Sequence, residues 1–253
     1  MKKLLWTGIY SGKKIMLWCV YLIFAGYIVN LIITTEQIGT KVIFAVIGGM
    51  VLSVVLLFEY LKRKYDHMIY ALTIDCSIPQ AEVLKQQLQE KDFFHGFTRS
   101  LYIFDALLLL DKGEYLACLD HLAAHEAFFR STYDYLFIYY HTQLHCYYFL
   151  NEKKQAEKTL NAMVKLKGLK KKQLSGLYSW YEIEGIKLYL QGRNRKSIES
   201  FEQVDISLLN NREQAYLFYM IGRSQIGAGN PSEGNRRIKE ARSIGQTLHI
   251  KTA

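Results

Sequence analysis

Two uncharged apolar runs open the chain, and a helical rhythm of apolar positions fills the rest. Ile15 to Thr34 reads IMLWCVYLIFAGYIVNLIIT, and Val42 to Phe58 reads VIFAVIGGMVLSVVLLF. About 20 helical residues rise roughly 30 Å, the thickness of a bilayer core. The pattern predicts a transmembrane hairpin over 15–61, with spans 15–34 and 42–61, the second carried into the interface by Glu59, Tyr60 and Leu61. The polar link TEQIGTK joins them. A cleaved signal peptide would explain only the first run. That run is too long, no A-x-A site follows it, and a second span comes at once.

From about Tyr65 onward, glycine and proline are sparse and apolar residues return every three or four positions. This is helical periodicity, and no sustained alternation points to strands. Connecting helices are expected over 65–98, one of them starting at Ser77-Ile78-Pro79-Gln80, where Ser77 can cap and Gln80 can reach back. Beyond residue 99 the pattern repeats. Gly113, Asn151, Gly192 and Gly229 are candidate turn residues at intervals of 38, 41 and 37. Five, nine and twelve residues after them stand Cys118, Leu122 and His125; Ala156, Leu160 and Met163; Ser197, Phe201 and Val204; Gly234, Ile238 and Ala241. Seven residues before them stand Ala106, Leu144, Gly185 and Gly222. A period in this range means stacked helix pairs.

The pattern resembles the tetratricopeptide repeat. Phe218, Ile221, Gly222, Gly234, Ile238 and Ala241 match that repeat's signature in the last copy, as do Tyr181, Gly185, Phe201 and Val204 in the copy before. Leu144 and His125 depart from it, standing where small residues are usual, and the closing proline is missing. The expected fold is all-α: the transmembrane hairpin, then a solenoid of about four helix pairs over 99–253, with repeats at roughly 99–132, 137–170, 178–211 and 215–248.

Charge sets the orientation. Lys2, Lys3, Lys13 and Lys14 in the 1–14 tail, with Lys62, Arg63 and Lys64 after the second span, face Lys41 alone in the link. Both termini and the main domain are therefore expected in the cytoplasm of an integral membrane protein, and the compact hairpin suits a bacterial one. Residues 1–66 carry +5 of the net +9, so the remainder holds only +4, and no nucleic-acid partner is expected. The cluster Lys165, Lys167, Lys170, Lys171 and Lys172 reads as a solvated link between helices or as a contact with anionic lipid. Ala45, Gly49 and Ser53 form a small-residue stripe on the second span, and Asn30 can hydrogen-bond across the contact it makes. That contact closes the hairpin or recruits another membrane helix. Four cysteines without a C-x-x-C pair, in a reducing compartment, argue against disulfides.

Chemistry is scarce. The stretch IGRSQIGAGNPSEGNRRIKEA (221–241) has the look of a phosphate loop, but Ser232 breaks G-x-G-x-x-G and no G-K-[ST] occurs. Gly229 is instead a turn and Gly234 a close helix contact, with Asn230 and Glu233 placed to cap the following helix. His121 and His125, and His141 and His145, are i, i+4 pairs, each half of a zinc site. The repeat register separates the two pairs, so neither a metal nor another cofactor is expected, and no catalytic residues are assigned. The resemblance implies a concave groove lined by Ile103, Leu107 and Leu110; by Ile138, His141, His145, Tyr148 and Phe149; by Glu182, Ile186 and Tyr189; and by Tyr216, Tyr219, Arg223 and Ile226. Such a lining implies an apolar or aromatic peptide, or a helix, as ligand, the alternative being that the chain's own segments, notably the Pro79–Lys91 helix, cover part of it. The function expected is a membrane-anchored adaptor for a protein partner. The alternatives are a regulatory or accessory subunit of a membrane machine and, third, a metal-dependent enzyme.

Overall fold

The computed structural model describes the backbone of residues 2–169 and 179–250, with side chains of 16, 18–166 and 179–250. The described residues form twelve α-helices, one short 3-10 helix (Ile206–Leu208) and no strand. The helices are α1 (Lys2–Thr34), α2 (Ile38–Thr73), α3 (Ile78–Lys91), α4 (Thr98–Asp111), α5 (Tyr115–Ala124), α6 (Glu126–Phe129), α7 (Tyr133–Leu150), α8 (Lys153–Leu169), α9 (Trp180–Leu190), α10 (Asn194–Phe201), α11 (Asn211–Gly227) and α12 (Pro231–Gly245). They divide into two compact units, residues 1–63 and 64–253.

In the first unit α2 is long and apolar enough to cross a membrane, with a mean hydropathy of 2.5 over its most apolar stretch, and Trp18–Thr34 is a shorter apolar helix. The second apolar run does not end in a helix break: α2 continues through Lys62, Arg63 and Lys64 to Thr73. Gly48 faces α1 closely, since an added Cβ would lie 2.6 Å from the Ile28 side chain. Tyr21 hydrogen-bonds Glu59, which is buried. The stripe of Ala45, Gly49 and Ser53 lies beside that contact and is exposed, as is Asn30. A Cβ on Gly49 would touch nothing within 4 Å. Gly48, one residue away, is the glycine that lets these two helices approach.

In the second unit each predicted turn residue ends the first helix of a pair. Gly113, Asn151, Gly192 and Gly229 have φ of 76°, 58°, 75° and 92°, the left-handed region that glycine and asparagine tolerate best. They join α4 to α5, α7 to α8, α9 to α10 and α11 to α12, and the helices of each pair pack together. One register governs the packing. Cys118 Sγ donates to Ala106 O (3.2 Å) and Ser197 Oγ to Gly185 O (2.7 Å), the same two positions in two pairs. In the last pair those positions are Gly234 and Gly222, and a Cβ on Gly222 would lie 2.8 Å from Gly234 O. Leu122, Leu160, Phe201 and Ile238 fill the next layer as buried core.

Two capping expectations fail. Asn230 caps no backbone N–H of α12, and Glu233 is held by Arg236 Nη2 (2.6 Å) and Arg237 Nε (3.2 Å). Guanidinium–carboxylate bonds are stronger than a cap bond and win the carboxylate. Ser77 likewise makes no side-chain cap to α3. The capping box sits instead on α11, between Asn210 and Glu213.

The last helix pair returns to the first. His249 N donates to Asp111 O (2.8 Å), Thr247 Oγ1 donates to Cys76 O (2.8 Å), and Ile78 N donates to Thr247 Oγ1 (2.8 Å). Asn211 Nδ2 reaches Ile74 O (2.7 Å). Residues more than a hundred positions apart are therefore tied, and the inner helices close around a shared interior.

Candidate functional site

The interior is polar at its centre. Asp111, the last residue of α4, is fully buried, and Arg212 at the start of α11 meets it with Nε 2.9 Å from Oδ1 and 2.7 Å from Oδ2. Tyr216 OH, one turn along α11, donates to Asp111 Oδ1 (2.8 Å), and the Arg212 guanidinium lies 5.1 Å from the Tyr216 ring centroid. Burial pushes the Asp111 carboxyl up from its ordinary value, against the pull of Arg212 and Tyr216. An ion pair this deep needs every hydrogen bond it can make.

Beside it stands a second cluster. His141 and His145 occupy one face of α7, four residues apart, with ring centroids 4.5 Å from each other. Both turn Nε2 toward the same oxygen of Glu182, in the first turn of α9: His145 at 3.0 Å and His141 at 3.5 Å. A helix N-terminus favours the carboxylate. Burial alone would raise the Glu182 carboxyl, but the hydrogen bonds from His141 and His145 hold it below its ordinary value. Burial pushes the His141 imidazole down to about 4, with His145 adding to the effect and Glu182 opposing it. A carboxylate only accepts, so the His145 proton facing it sits on Nε2. Nδ1 of His145 is buried, without a hydrogen-bond partner among the described residues.

The histidine pair was legible in the sequence, but its partner was not recognised there. His141 and Glu182 both lie ten residues before their turn residues, Asn151 and Gly192, so they hold equivalent positions on consecutive first helices. Stacked pairs bring equivalent positions together, and that signal was available. The other pair is separate. His121 Nε2 lies 2.9 Å from Tyr102 O and His125 stacks on the Tyr102 ring at 3.8 Å. The only group of three or more metal-ligating side chains among the described residues is His141, His145 and Glu182, whose ligand atoms all lie within 4.8 Å of one another.

None of the positions expected to line a groove is exposed. Leu110, Ile138, His141, His145, Tyr148, Ile186, Tyr216 and Tyr219 are buried, while Ile103, Leu107, Phe149, Glu182, Tyr189, Arg223 and Ile226 are half-buried. They pack on one another: Phe149 stacks on Tyr115 (4.9 Å) and Tyr219 (5.7 Å), and Tyr148 meets Tyr189 (5.0 Å). In this conformation the groove is an interior, because the last helix pair has closed on the first. Among these residues lies a cavity of about 190 Å³ bounded by Tyr148, Phe149, Asn151, Tyr189, Tyr219 and Arg223, too small for a peptide. Arg223 spans it, reaching Tyr219 OH at 3.4 Å and Tyr189 OH at 3.3 Å.

A larger cleft of about 640 Å³ lies outside, between α8 and α9. Its walls include Leu160, Val164, Trp180, Tyr181 and Ile183, with Lys153, Glu157, Glu184 and Lys187 around them, and Val164 and Tyr181 are exposed. Sequence reasoning missed it, since neither helix carries an unusual motif there. Of the lysine cluster, Lys165 is exposed on α8 and Lys167 lies on the same helix, while Lys170, Lys171 and Lys172 lie outside the described residues. Cys76, Cys118 and Cys146 are buried and not paired in disulfides. No family model, no curated protein and no solved structure matches this chain.

Proposed function

We propose that the chain is a membrane-anchored adaptor, in which two apolar helices hold a tetratricopeptide-like solenoid at the cytoplasmic face and the solenoid binds a protein or peptide partner without chemistry. The observation that carries this reading is the shared register of four helix pairs, each turning on a left-handed residue at the expected interval. Arrays of this kind serve as binding surfaces. One helix of spanning length and apolarity and the basic residues flanking the apolar runs support the anchor and its orientation. Anchoring raises the effective concentration of whatever the domain holds near the membrane.

With the inner positions buried, the α8–α9 cleft is the surface offered to a partner. Its apolar and aromatic walls, edged by charges of both signs, suit an amphipathic peptide or helix. A second reading, an accessory subunit of a membrane assembly, is favoured by the exposed stripe of Ala45, Gly49 and Ser53, which the contact at Gly48 leaves unused. Crosslinking and affinity purification from native membranes separates the two. A partner lost from a folded Val164→Glu, Tyr181→Ala variant supports the adaptor, and one lost only from Gly49→Leu supports the subunit. A partner unaffected by either variant, or none at all, refutes both.

A further inference from the structure

We propose that His141 Nε2, His145 Nε2 and Glu182 Oε1 form a three-ligand site for a divalent transition metal, zinc by preference, that pins α7 to α9. The inference goes beyond the adaptor reading and does not depend on it. Its basis is geometric. A tetrahedral zinc with bonds of about 2.0–2.1 Å places its ligand atoms about 3.3 Å apart along each edge. Two of the three edges already have that length, 3.0 Å from His145 and 3.5 Å from His141 to the same carboxylate oxygen. Each of the three residues offers a ligand atom within 4.8 Å of the other two, which bounds the last edge. The site is thus arranged before the metal arrives.

The chemistry agrees with the geometry. Two imidazoles and one carboxylate are borderline donors that suit zinc, with a fourth position left for water. Glu182 keeps 12% of its side chain exposed, which gives the ion a way in, while the histidines are almost wholly covered. Arg212 is the nearby cation, but Asp111 holds and neutralises it, so Glu182 supplies the net negative charge of the site. One feature weakens the site. Nδ1 of His145 has no hydrogen-bond partner among the described residues, and loss of such an outer contact costs about 10–100-fold in affinity. Binding is expected to be stoichiometric but weaker than in a fully supported zinc site.

The test uses the full chain in detergent, stripped with chelator and titrated with Co²⁺, then with Zn²⁺ in competition. The expected result is one equivalent of tetrahedral cobalt absorption, displaced by zinc. Glu182→Gln, which keeps a hydrogen-bond acceptor but removes the charge, should weaken binding at least about 10-fold. His121→Gln, in the other histidine pair, should leave it unchanged. X-ray absorption of the zinc-loaded wild type should show two imidazoles and oxygen in the first shell, a readout that needs no variant. The proposal is overturned if wild type binds no stoichiometric metal or if its shell lacks the two imidazoles. It is equally overturned if folded Glu182→Gln binds as tightly as wild type, or if His121→Gln abolishes binding.

Discussion

The buried pair of Asp111 and Arg212 fixes the closure of the helical array, and its energetics can be worked from the structure. Asp111 is 0% and Arg212 6% exposed, and the carboxylate takes two bonds from Nε of Arg212 and one from Tyr216. Removing one partner strands a charge in the interior, which costs about 3–5 kcal/mol. Asp111→Leu and Arg212→Met should each destabilise the domain by that amount. The double variant removes both charges and leaves the Tyr216 hydroxyl without this acceptor, a cost of about 1–3 kcal/mol. The effects are therefore far from additive: the double variant is more stable than either single one. Urea unfolding in non-ionic detergent, followed by circular dichroism, reads this directly. With a slope of about 2 kcal/mol per molar, each single change lowers the midpoint by roughly 1.5–2.5 M and the double change by about 1 M. Single shifts below about 0.5 M, or a double shift equal to their sum, would refute the reasoning. Either result would mean that water reaches the pair and that the first and last helix pairs are not closed.

Two further predictions concern packing. Gly222→Ala places a methyl 2.8 Å from the Gly234 carbonyl and 2.7 Å from the Ile238 side chain, and should cost about 1–3 kcal/mol by thermal unfolding. Gly192→Ala meets no atom, and should cost only the backbone strain of φ 75°, about 1–2 kcal/mol, which Gly192→Asn should largely recover. Cys76 is buried, with burial pushing its thiol up to about 11, so a water-soluble maleimide at neutral pH should label neither it nor the equally buried Cys118 and Cys146 until the protein is unfolded. Rapid labelling of Cys76 in the folded chain would contradict the anchoring of its carbonyl by Thr247.

The helix pairs were legible because their grammar is local. The left-handed turn of each pair is made by Gly or Asn, and in three of the four pairs the helices meet, seven residues before and five after that turn, through small or hydrogen-bonding side chains, with Leu144 the exception. Cys118 and Ser197 satisfy the contact by donating to the facing carbonyl, and Gly234 satisfies it by having no side chain. Capping was less legible, since the sequence at Asn230-Pro231-Ser232-Glu233 is a good cap on paper, yet Arg236 and Arg237 hold Glu233 and Asn230 Nδ2 donates to Gln225 Oε1 (3.2 Å). In the apolar helices, Gly48 and Gly49 are indistinguishable by composition. The phase of α2 against Ile28 chooses Gly48.

What the sequence could not supply was closure. The positions expected on the inner side of each first helix are buried or half-buried, and whether such a side is a groove or an interior depends on contacts such as Asp111 with Arg212, which no local pattern announces. Once closed, the same residues change their meaning. Ile186, Tyr216 and Tyr219 become core, and exposing each again would cost about 1.5–3 kcal/mol. A peptide that entered from this side would have to replace all of that burial before it gained anything, because a ligand shifts such an equilibrium only by its differential affinity for the open form. The outer cleft asks for no such opening. The two surfaces thus respond oppositely to loss of the Arg212 pair: a partner held in the cleft is indifferent to it, and a partner held inside binds better as the array loosens. That opposition ties the stability of one buried ion pair to the place where recognition occurs.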